Sequence, residues 1–328
     1  MTIRTLLCLL LLSGFSGALQ AACTLPASTA SFGSVTSFAV NSAASTSSTT
    51  ANVNCGAGST VSLLSGNNIT LRLASATTVS GTRGTLTLAG TTGGDAIPVQ
   101  LCTVSTCATE LTIGAAAITY NSTQLANLIG LLGGLNFSIP LYLRTVPGQV
   151  VAAGTYSGTL NLAVTYRICT GLAALGLCLA GQEQNGSGTL PISVTMTITN
   201  DCTTITAPNI NFGSAPLVSG FSAVSQSISV ICTKGSTYTV GLSNGNNANG
   251  SVRNMANGTN RLSYEIYKGS SSNRWGPAAA ERQSSANAAT VSSNGLTRTF
   301  PYTARILTNQ NTPVAGTYTD SVVVDLAF

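Results

Sequence analysis

Short runs of alternating apolar and polar residues recur along this chain. Two clear examples are SISVIC, which begins at Ser227, and SVVVDL, which begins at Ser321. Turns rich in Gly, Asn and Ser separate these runs, and we find no long amphipathic helical pattern. A period of two residues predicts half-buried β-strands, so the chain is predicted to be all-β. A disordered Ser/Thr-rich stalk is the alternative, and the repeated apolar alternation argues against it.

The strand pattern occurs twice. CTLPASTASFGS from Cys23 matches CTTITAPNINFGS from Cys202, and each is followed by a second cysteine. LNFSIPLYLR (135–144) then matches LTRTFPYTAR (296–305), and VAAGTYSGTLNLAVTY (151–166) matches TPVAGTYTDSVVVDLAF (312–328). The sequence therefore predicts two copies of one β-domain in tandem, over residues 22–200 and 201–328.

The N-terminus has the features of a secretory signal peptide, predicted to span residues 1–21. Arg4 precedes an apolar run from Leu6 to Leu12, and small residues follow, with cleavage expected after Ala21 or Ala22. The apolar run is too short for a transmembrane helix. A lipid anchor on Cys23 is the alternative, but Gln20 stands where a lipobox needs an aliphatic residue.

The cysteine count indicates disulfides formed in an oxidising compartment. The sequence has nine cysteines, and removal of Cys8 with the signal peptide leaves an even set of eight. The repeat selects the pairs Cys23–Cys55 and Cys202–Cys232, which leaves the close pairs Cys102–Cys107 and Cys169–Cys178. Zinc is a weak alternative because the chain has no histidine and no CxxC spacing.

Composition excludes several classes of function. Charged residues make up 6% of the chain, and the net charge of +5 is spread out rather than clustered, so nucleic-acid binding is not expected. The chain lacks histidine, its eight acidic residues are scattered, and no Gly-rich piece matches a phosphate-binding motif. We therefore expect neither an enzyme nor a cofactor.

The repeated motifs resemble a known family. Cys-x(9–10)-FG, a second cysteine some thirty residues on, and a terminal GTYxDxVxVxLxF strand are similar to the spore coat protein U domain, which is shared with pilins of the archaic chaperone–usher pathway. The first copy departs from this motif, with Gly158 where the second has Asp320. The resemblance implies two immunoglobulin-like β-sandwiches and disulfide-stabilised pilin-type domains.

The resemblance also implies that a domain of this class lacks its final strand, G. A periplasmic chaperone first fills the open groove, and the donor strand of the next subunit replaces it at the outer-membrane usher. The second copy fits this expectation because its last strand ends at Phe328. An uncovered apolar edge of this kind is prone to aggregation.

The first copy is expected to carry its own strand G. In the segment TLPISVTMTITN (189–200), five apolar residues fall on one face: Leu190, Ile192, Val194, Met196 and Ile198. The segment stands directly before Cys202, where a shaft pilin of this family carries its donor strand. A solvated linker is the alternative for this segment.

The position of Cys23 leads to a functional expectation. The predicted cleavage site almost touches this cysteine, which leaves no room for a donor strand in the mature chain. Such a subunit accepts a strand but donates none, as the two-domain tip adhesin of archaic pili does. We expect an exported protein at the pilus tip on the cell surface, with a secreted, non-adhesive coat or matrix protein as the alternative.

Two apolar segments of the first copy are the candidate adhesive site. The loop TGLAALGL between Cys169 and Cys178 is uncharged, and a second apolar run occupies QLANLIGLLGGL (124–135). Both are expected at the pole remote from the second domain, where the B–C, D–E and F–G loops gather. The predicted surface-binding residues are Leu125, Leu128, Ile129, Leu131, Leu132, Leu172, Leu175 and Leu177.

Buried positions are the alternative for both segments. Leu125, Leu128, Ile129 and Leu132 fit helical spacing and could form a short core helix, and the cysteine loop could fold back onto its domain. Exposed apolar patches mark interaction sites, and the matching loops of the second copy are polar. Because the first domain has no Trp, a sugar receptor is disfavoured. The expected ligands are hydrophobic, abiotic surfaces, with biofilm formation as the outcome.

Overall fold

A computed structural model describes residues 22–56, 66–91, 94–129, 134–170, 173–174, 177–178 and 182–328. Their regular secondary structure is almost entirely β-strand, and they form two immunoglobulin-like β-sandwiches, one after the other along the chain. Each sandwich encloses its own hydrophobic core. The predicted all-β fold class is confirmed.

The first sandwich contains two short helices, α1 (Ser37–Ser42) and α2 (Ser122–Ala126). Its strands are β1 (Ser28–Thr36), β2 (Thr46–Asn54), β3 (Asn68–Ala76), β4 (Val79–Ser80), β5 (Arg83–Leu88), β6 (Ala96–Cys102), β7 (Glu110–Leu111), β8 (Ile118–Asn121), β9 (Asn136–Thr145), β10 (Gly154–Cys169), β11 (Ala173–Ala174), β12 (Leu177–Cys178) and β13 (Glu183–Thr199). The main path through its sheets runs β1-β13-β10-β5-β6-β9-β2, and β3 also pairs with β10.

Strand β13 is paired along both of its edges. It runs antiparallel to β10, from Gly154 opposite Ile198 to Cys169 opposite Glu183. On its other edge it runs parallel to β1 over Ser28–Thr36. The five alternating apolar residues of segment 189–200 are buried in the core. The strand begins six residues before this segment, and its whole length lies inside the first sandwich.

The second sandwich comprises strands β14 (Cys202–Thr206), β15 (Val224–Cys232), β16 (Thr239–Leu242), β17 (Arg253–Asn257), β18 (Asn260–Lys268), β19 (Gln283–Ser284), β20 (Thr290–Val291), β21 (Thr297–Ile306) and β22 (Val324–Ala327). It also has 3-10 turns at Val218–Gly220, Ala279–Glu281 and Ser285–Asn287. One sheet has the order β14-β15-β21-β18-β17, and the other has β19-β16-β22.

Four disulfides join the cysteines in the expected pairs. Each sandwich has one disulfide near its start, Cys23–Cys55 in the first and Cys202–Cys232 in the second. The other two close short loops, Cys102 to Cys107 and Cys169 to Cys178. The pairing predicted from the repeat is confirmed.

The two sandwiches meet at a polar joint. The carboxylate of Asp95 forms an ion pair with the ammonium of Lys234 and accepts the Ala152 backbone N–H at 2.7 Å. The hydroxyls of Ser37 in α1 and Thr233 lie 2.7 Å apart and are buried. Since Thr233 also accepts the backbone N–H of Asp201 at 2.8 Å, the linker itself is tied into this joint.

Candidate functional site

One candidate site is the end of the first sandwich remote from the joint. Strand β10 begins at Gly154, next to the joint, and reaches this far pole at Cys169. The carbonyl of Gln182 accepts the Thr170 backbone N–H at 2.8 Å, so the loop between β10 and β13 leaves the sandwich here. The bridge Cys169–Cys178 lies within that loop, as expected from strand order.

The structure corrects the expectation for Leu125. This side chain is fully buried in the first core rather than exposed at a surface. A reciprocal capping box between Asn121 and Gln124 starts helix α2 and directs Leu125 inward. The core-helix alternative therefore holds for this residue.

Leu128 and Ile129 are half-buried and pack against the same core. The carbonyl of Leu128 accepts the Ser138 N–H at 3.0 Å, and Ile129 bridges to Phe137 in β9. These contacts make both residues part of the scaffold below the far pole. Since both side chains are half-buried, a surface-binding role for them stays a prediction.

The remaining predicted surface residues are not tested. Leu131, Leu132, Leu172 and Leu175 lie outside the described residues. The backbone of Leu177 is described and pairs with Ala174 in a small hairpin, but its side chain is outside the description. A surface-binding role for these five residues stays a prediction.

A second candidate site is a groove along one side of the second sandwich. It lies between residues 207–218 and 312–322 and contains two cavities of about 310 and 360 Å³. Within the described chain, segment 207–217 forms no strand, although it matches β1 in sequence. Exposed apolar side chains flank the groove, Leu217 and Val314 among them.

Matched positions of β10 and its counterpart differ systematically in burial. The pairs, by the sequence repeat, are Tyr156 and Tyr318, Leu160 and Val322, Leu162 and Val324, Val164 and Leu326, and Tyr166 and Phe328. The first member of every pair is buried, whereas the second is half-buried or exposed. At the extreme, Tyr166 is 5% exposed and Phe328 is 67% exposed.

Strand β1 and its counterpart in the second sandwich show the same difference in burial. Phe32 and Ala30 of β1 are buried, but their counterparts Phe212 and Ile210 are only half-buried. In the first sandwich β13 lies between these two strands and covers their side chains. No strand occupies that place in the described part of the second sandwich. The groove therefore lies at the position that β13 occupies in the first sandwich.

Two tyrosines, Tyr264 at the groove and Tyr156 in the first sandwich, have raised pKa values. Burial raises the pKa of Tyr264 above its ordinary value, and the hydrogen bond to Asp320 raises it further. Its hydroxyl donates to the Asp320 carboxylate at 2.8 Å. In the first sandwich, burial and the negative charge of Asp95 raise the pKa of Tyr156 to about 12.

Neither site is organised for metal binding within the described ranges. No cluster of three or more His, Cys, Asp or Glu side chains there is suited to hold an ion. No described helix is long and apolar enough to cross a membrane. What the described geometry offers is apolar surface in the groove, with the carboxylate of Asp320 among its lining.

Several solved structures resemble this chain. A chain of the crystal structure of the CsuC–CsuE chaperone–tip adhesion subunit pre-assembly complex, from archaic chaperone–usher Csu pili of Acinetobacter baumannii, matches with a TM-score of 0.55. The two chains are 24% identical, and the match covers 94% of this chain and 100% of the other. At this identity the likeness establishes a common fold.

Two further structures match more weakly. The CupB6 tip adhesin from Pseudomonas aeruginosa is 14% identical, with a TM-score of 0.35 over 93% of this chain and 94% of that one. The CooA pilin subunit from enterotoxigenic Escherichia coli is 16% identical, with a TM-score of 0.31 over 55% of this chain and 99% of that one. No curated protein sequence matches the chain.

A family comparison agrees with the internal repeat. The Spore Coat Protein U domain matches twice, over residues 11–163 and 188–325. Together these regions contain most of both sandwiches and most of the motifs that repeat between them. The chain belongs to the spore coat protein U domain family and contains two of its domains in tandem.

Proposed function

We propose that this protein is the tip adhesin of an archaic chaperone–usher pilus. Its second sandwich is completed by a strand from another subunit, and its first sandwich is complete in itself and attaches to hydrophobic surfaces. The observation that carries the proposal is the difference in burial between matched positions, Leu160 and Val322 for example. The first sandwich contains β13, and the second has an apolar groove in the same place.

A periplasmic chaperone is the first partner that this groove needs. Exposed apolar side chains next to unpaired strand edges lead to aggregation unless a partner covers them. β-Strand addition satisfies the backbone groups and buries the side chains at once. The outer-membrane usher then exchanges the chaperone for the donor strand of the next pilus subunit.

The far pole of the first sandwich is the proposed adhesive surface. The described residues at this pole are the sequence neighbours of three segments, 57–65, 130–133 and 171–181, of which only 173–174 and 177–178 are described. Their described neighbours are joined directly, since Gly56 accepts the Leu135 N–H at 2.8 Å and Gln184 donates its side-chain N–H to Cys55 at 3.5 Å. In sequence all three segments carry apolar residues: Val61, Leu63 and Leu64, then Leu131 and Leu132, then Leu172, Leu175 and Leu177.

Attachment by such a surface follows from burial of apolar area. Full burial of a leucine side chain contributes roughly 1.5–3 kcal/mol, and a flat surface buries less of it. One pilus therefore binds modestly, and many pili on one cell bind strongly through multivalency. Colonisation of plastics and biofilm formation are the expected biological outcomes.

The first experiment tests assembly. The mature chain is exported to the periplasm with and without a chaperone of the archaic pathway. Alone it should aggregate or be degraded, and with the chaperone it should purify as a soluble one-to-one complex. A stable monomer obtained without any partner would contradict the proposed open groove.

The second experiment tests adhesion. Leu172, Leu175 and Leu177 are replaced together by Ser, and piliated cells attached to polystyrene are counted. Attachment should fall while pilus number stays unchanged. The matched control replaces Val79, Val252 and Val291, which are exposed on other surfaces, by Ser. If both triple variants attach as wild-type cells do, the non-adhesive coat protein becomes the better account.

A further inference from the structure

Two matched positions at the floor of the groove differ chemically between the two sandwiches. Gly158 of β10 matches Asp320 by the sequence repeat, and Val99 matches Tyr264 because Val99 pairs with Thr145 and Tyr264 pairs with the corresponding Ile306. The first sandwich thus has a glycine and a valine where the second has a carboxylate and a phenol.

The glycine in the first sandwich permits close packing. A Cβ on Gly158 would lie 2.5 Å from the carbonyl oxygen of Thr85 in β5. Across the sheet, Gly158 pairs with Val194 of β13, which is completely buried. This part of the first core is apolar and has no room for a larger side chain at position 158.

The aspartate in the second sandwich is held in a polar cluster. Its Oδ2 accepts the Tyr264 hydroxyl at 2.8 Å, and its Oδ1 accepts the backbone and side-chain N–H groups of Asn247 at 3.2 and 3.1 Å. An ionised carboxylate offers about four acceptor positions, so three donors leave one position open. Asp320 is half-buried and lines the groove, which gives an incoming strand access to that position.

An apolar side chain over this carboxylate would be unfavourable. If a donor strand follows the register of β13, the residue that corresponds to Val194 faces Asp320. A valine there would remove water from the open acceptor position and supply no hydrogen bond in its place. A side chain that donates a hydrogen bond would satisfy the carboxylate and strengthen the pairing.

We propose that Asp320 selects the strand that completes the second sandwich. The partner is a pilin strand with apolar residues at alternate positions, interrupted by a hydrogen-bond donor, such as Thr, Ser, Asn or Lys, at the position that faces Asp320. This inference rests on the proposed function, since it assumes that the groove receives a strand. It adds the requirement that the strand carry a hydrogen-bond donor opposite Asp320.

The test supplies the strand in cis. A copy of residues 186–199 is joined after Phe328 through a hairpin loop of about four residues, so that it folds back over the groove in the register of β13. One construction keeps valine at the copied position 194, a second carries Val194→Thr in the copy, and a third carries a scrambled copy. Thermal unfolding of the second sandwich is measured in each full-length chain.

The threonine copy should give the higher melting temperature, by about 4 °C or more. In an Asp320→Gly background the order should reverse, and valine should be preferred. A matched control makes Val194→Thr in β13 itself, where Gly158 offers no acceptor side chain, and there the same substitution should lower the melting temperature of the first sandwich.

The possible outcomes separate the two proposals. If neither copy raises the melting temperature above that of the scrambled copy, the groove does not receive a strand and the proposed function fails. If both copies stabilise the chain and valine equals or exceeds threonine with Asp320 present, only the selection by Asp320 is overturned. This comparison does not depend on whether the Asp320→Gly chain folds.

Discussion

Tyr156 and Tyr318 make the same hydrogen bond in the two sandwiches. Each hydroxyl donates to the backbone carbonyl four residues earlier, Ala152 at 2.9 Å and Val314 at 2.8 Å. A tyrosine corner of this kind fixes the turn into the strand that follows. Tyr156 is fully buried beside β13, whereas Tyr318 is only half-buried. The same hydrogen bond therefore occurs once next to a neighbouring strand and once without one.

Removal of the two hydroxyls should therefore have unequal effects. Tyr156→Phe removes the donor from a fully buried side chain to the part-buried Ala152 carbonyl and should destabilise the first sandwich by about 1–3 kcal/mol. Tyr318→Phe should cost less than about 1 kcal/mol, since water reaches the freed carbonyl. Urea unfolding of the chaperone-bound chain measures both, and equal losses would contradict this reading of the burial difference.

Alkaline pH should weaken the first sandwich through Tyr156. Folding raises the pKa of its phenol from 10.0 to about 12, so the folded state favours the neutral form. The stability linked to this group is fully present below pH 10.0 and is lost as pH rises toward about 12. The difference in urea midpoint between wild type and Tyr156→Phe should shrink over that interval. Comparison with the variant removes contributions from the other buried tyrosines.

The isolated first sandwich should fold without a partner. A fragment of residues 22–200 retains β13, which buries Leu190, Ile192 and Val194 against β1 and β10. A fragment that ends at residue 182 loses this strand and opens the core. Circular dichroism should show cooperative unfolding for the longer fragment alone, and equal melting temperatures would mean that 189–200 is only a linker.

The joint between the sandwiches should depend on Asp95. Asp95→Ala removes both the ion pair with Lys234 and the acceptor for the Ala152 N–H. Hydrogen exchange should become faster at residues 150–152 and 233–236, with little change in the interior of β10. Glu110→Gln is the control, because it weakens an ion pair with Arg83 away from the joint. Unchanged exchange in the Asp95 variant would show that the joint holds without this contact.

The parts of the fold that could be predicted are those with a local or repeated signal. Alternation identified segment 189–200, and the repeat identified two cysteine pairs and left the two close pairs. The first six residues of β13 were missed because Glu183–Gly188 has no apolar alternation, and their pairing with β10 creates that part of the strand.

The candidate site was harder to predict. Leu125 has the same spacing whether its helix faces solvent or core, and only its packing in the first core decides between them. The apolar run at 57–65 was overlooked because it is remote in sequence from the cysteine loop, and only the hydrogen bond between their described neighbours Cys55 and Gln184 relates the two stretches. The contact of Asp320 with Tyr264 likewise depends on strand register, which one sequence does not reveal.

The double pairing of β13 has a mechanical consequence. This strand leads directly through Asn200 and Asp201 into the second sandwich, so a pull on the second sandwich enters the first at Thr199. The force then acts along the strand, nearly perpendicular to its hydrogen bonds with β1 and β10. Bonds in this shear geometry share the tension and must break together, whereas an unzipping hairpin would release them one at a time. The same strand that completes the core thus makes the first sandwich resistant to a pull on the second.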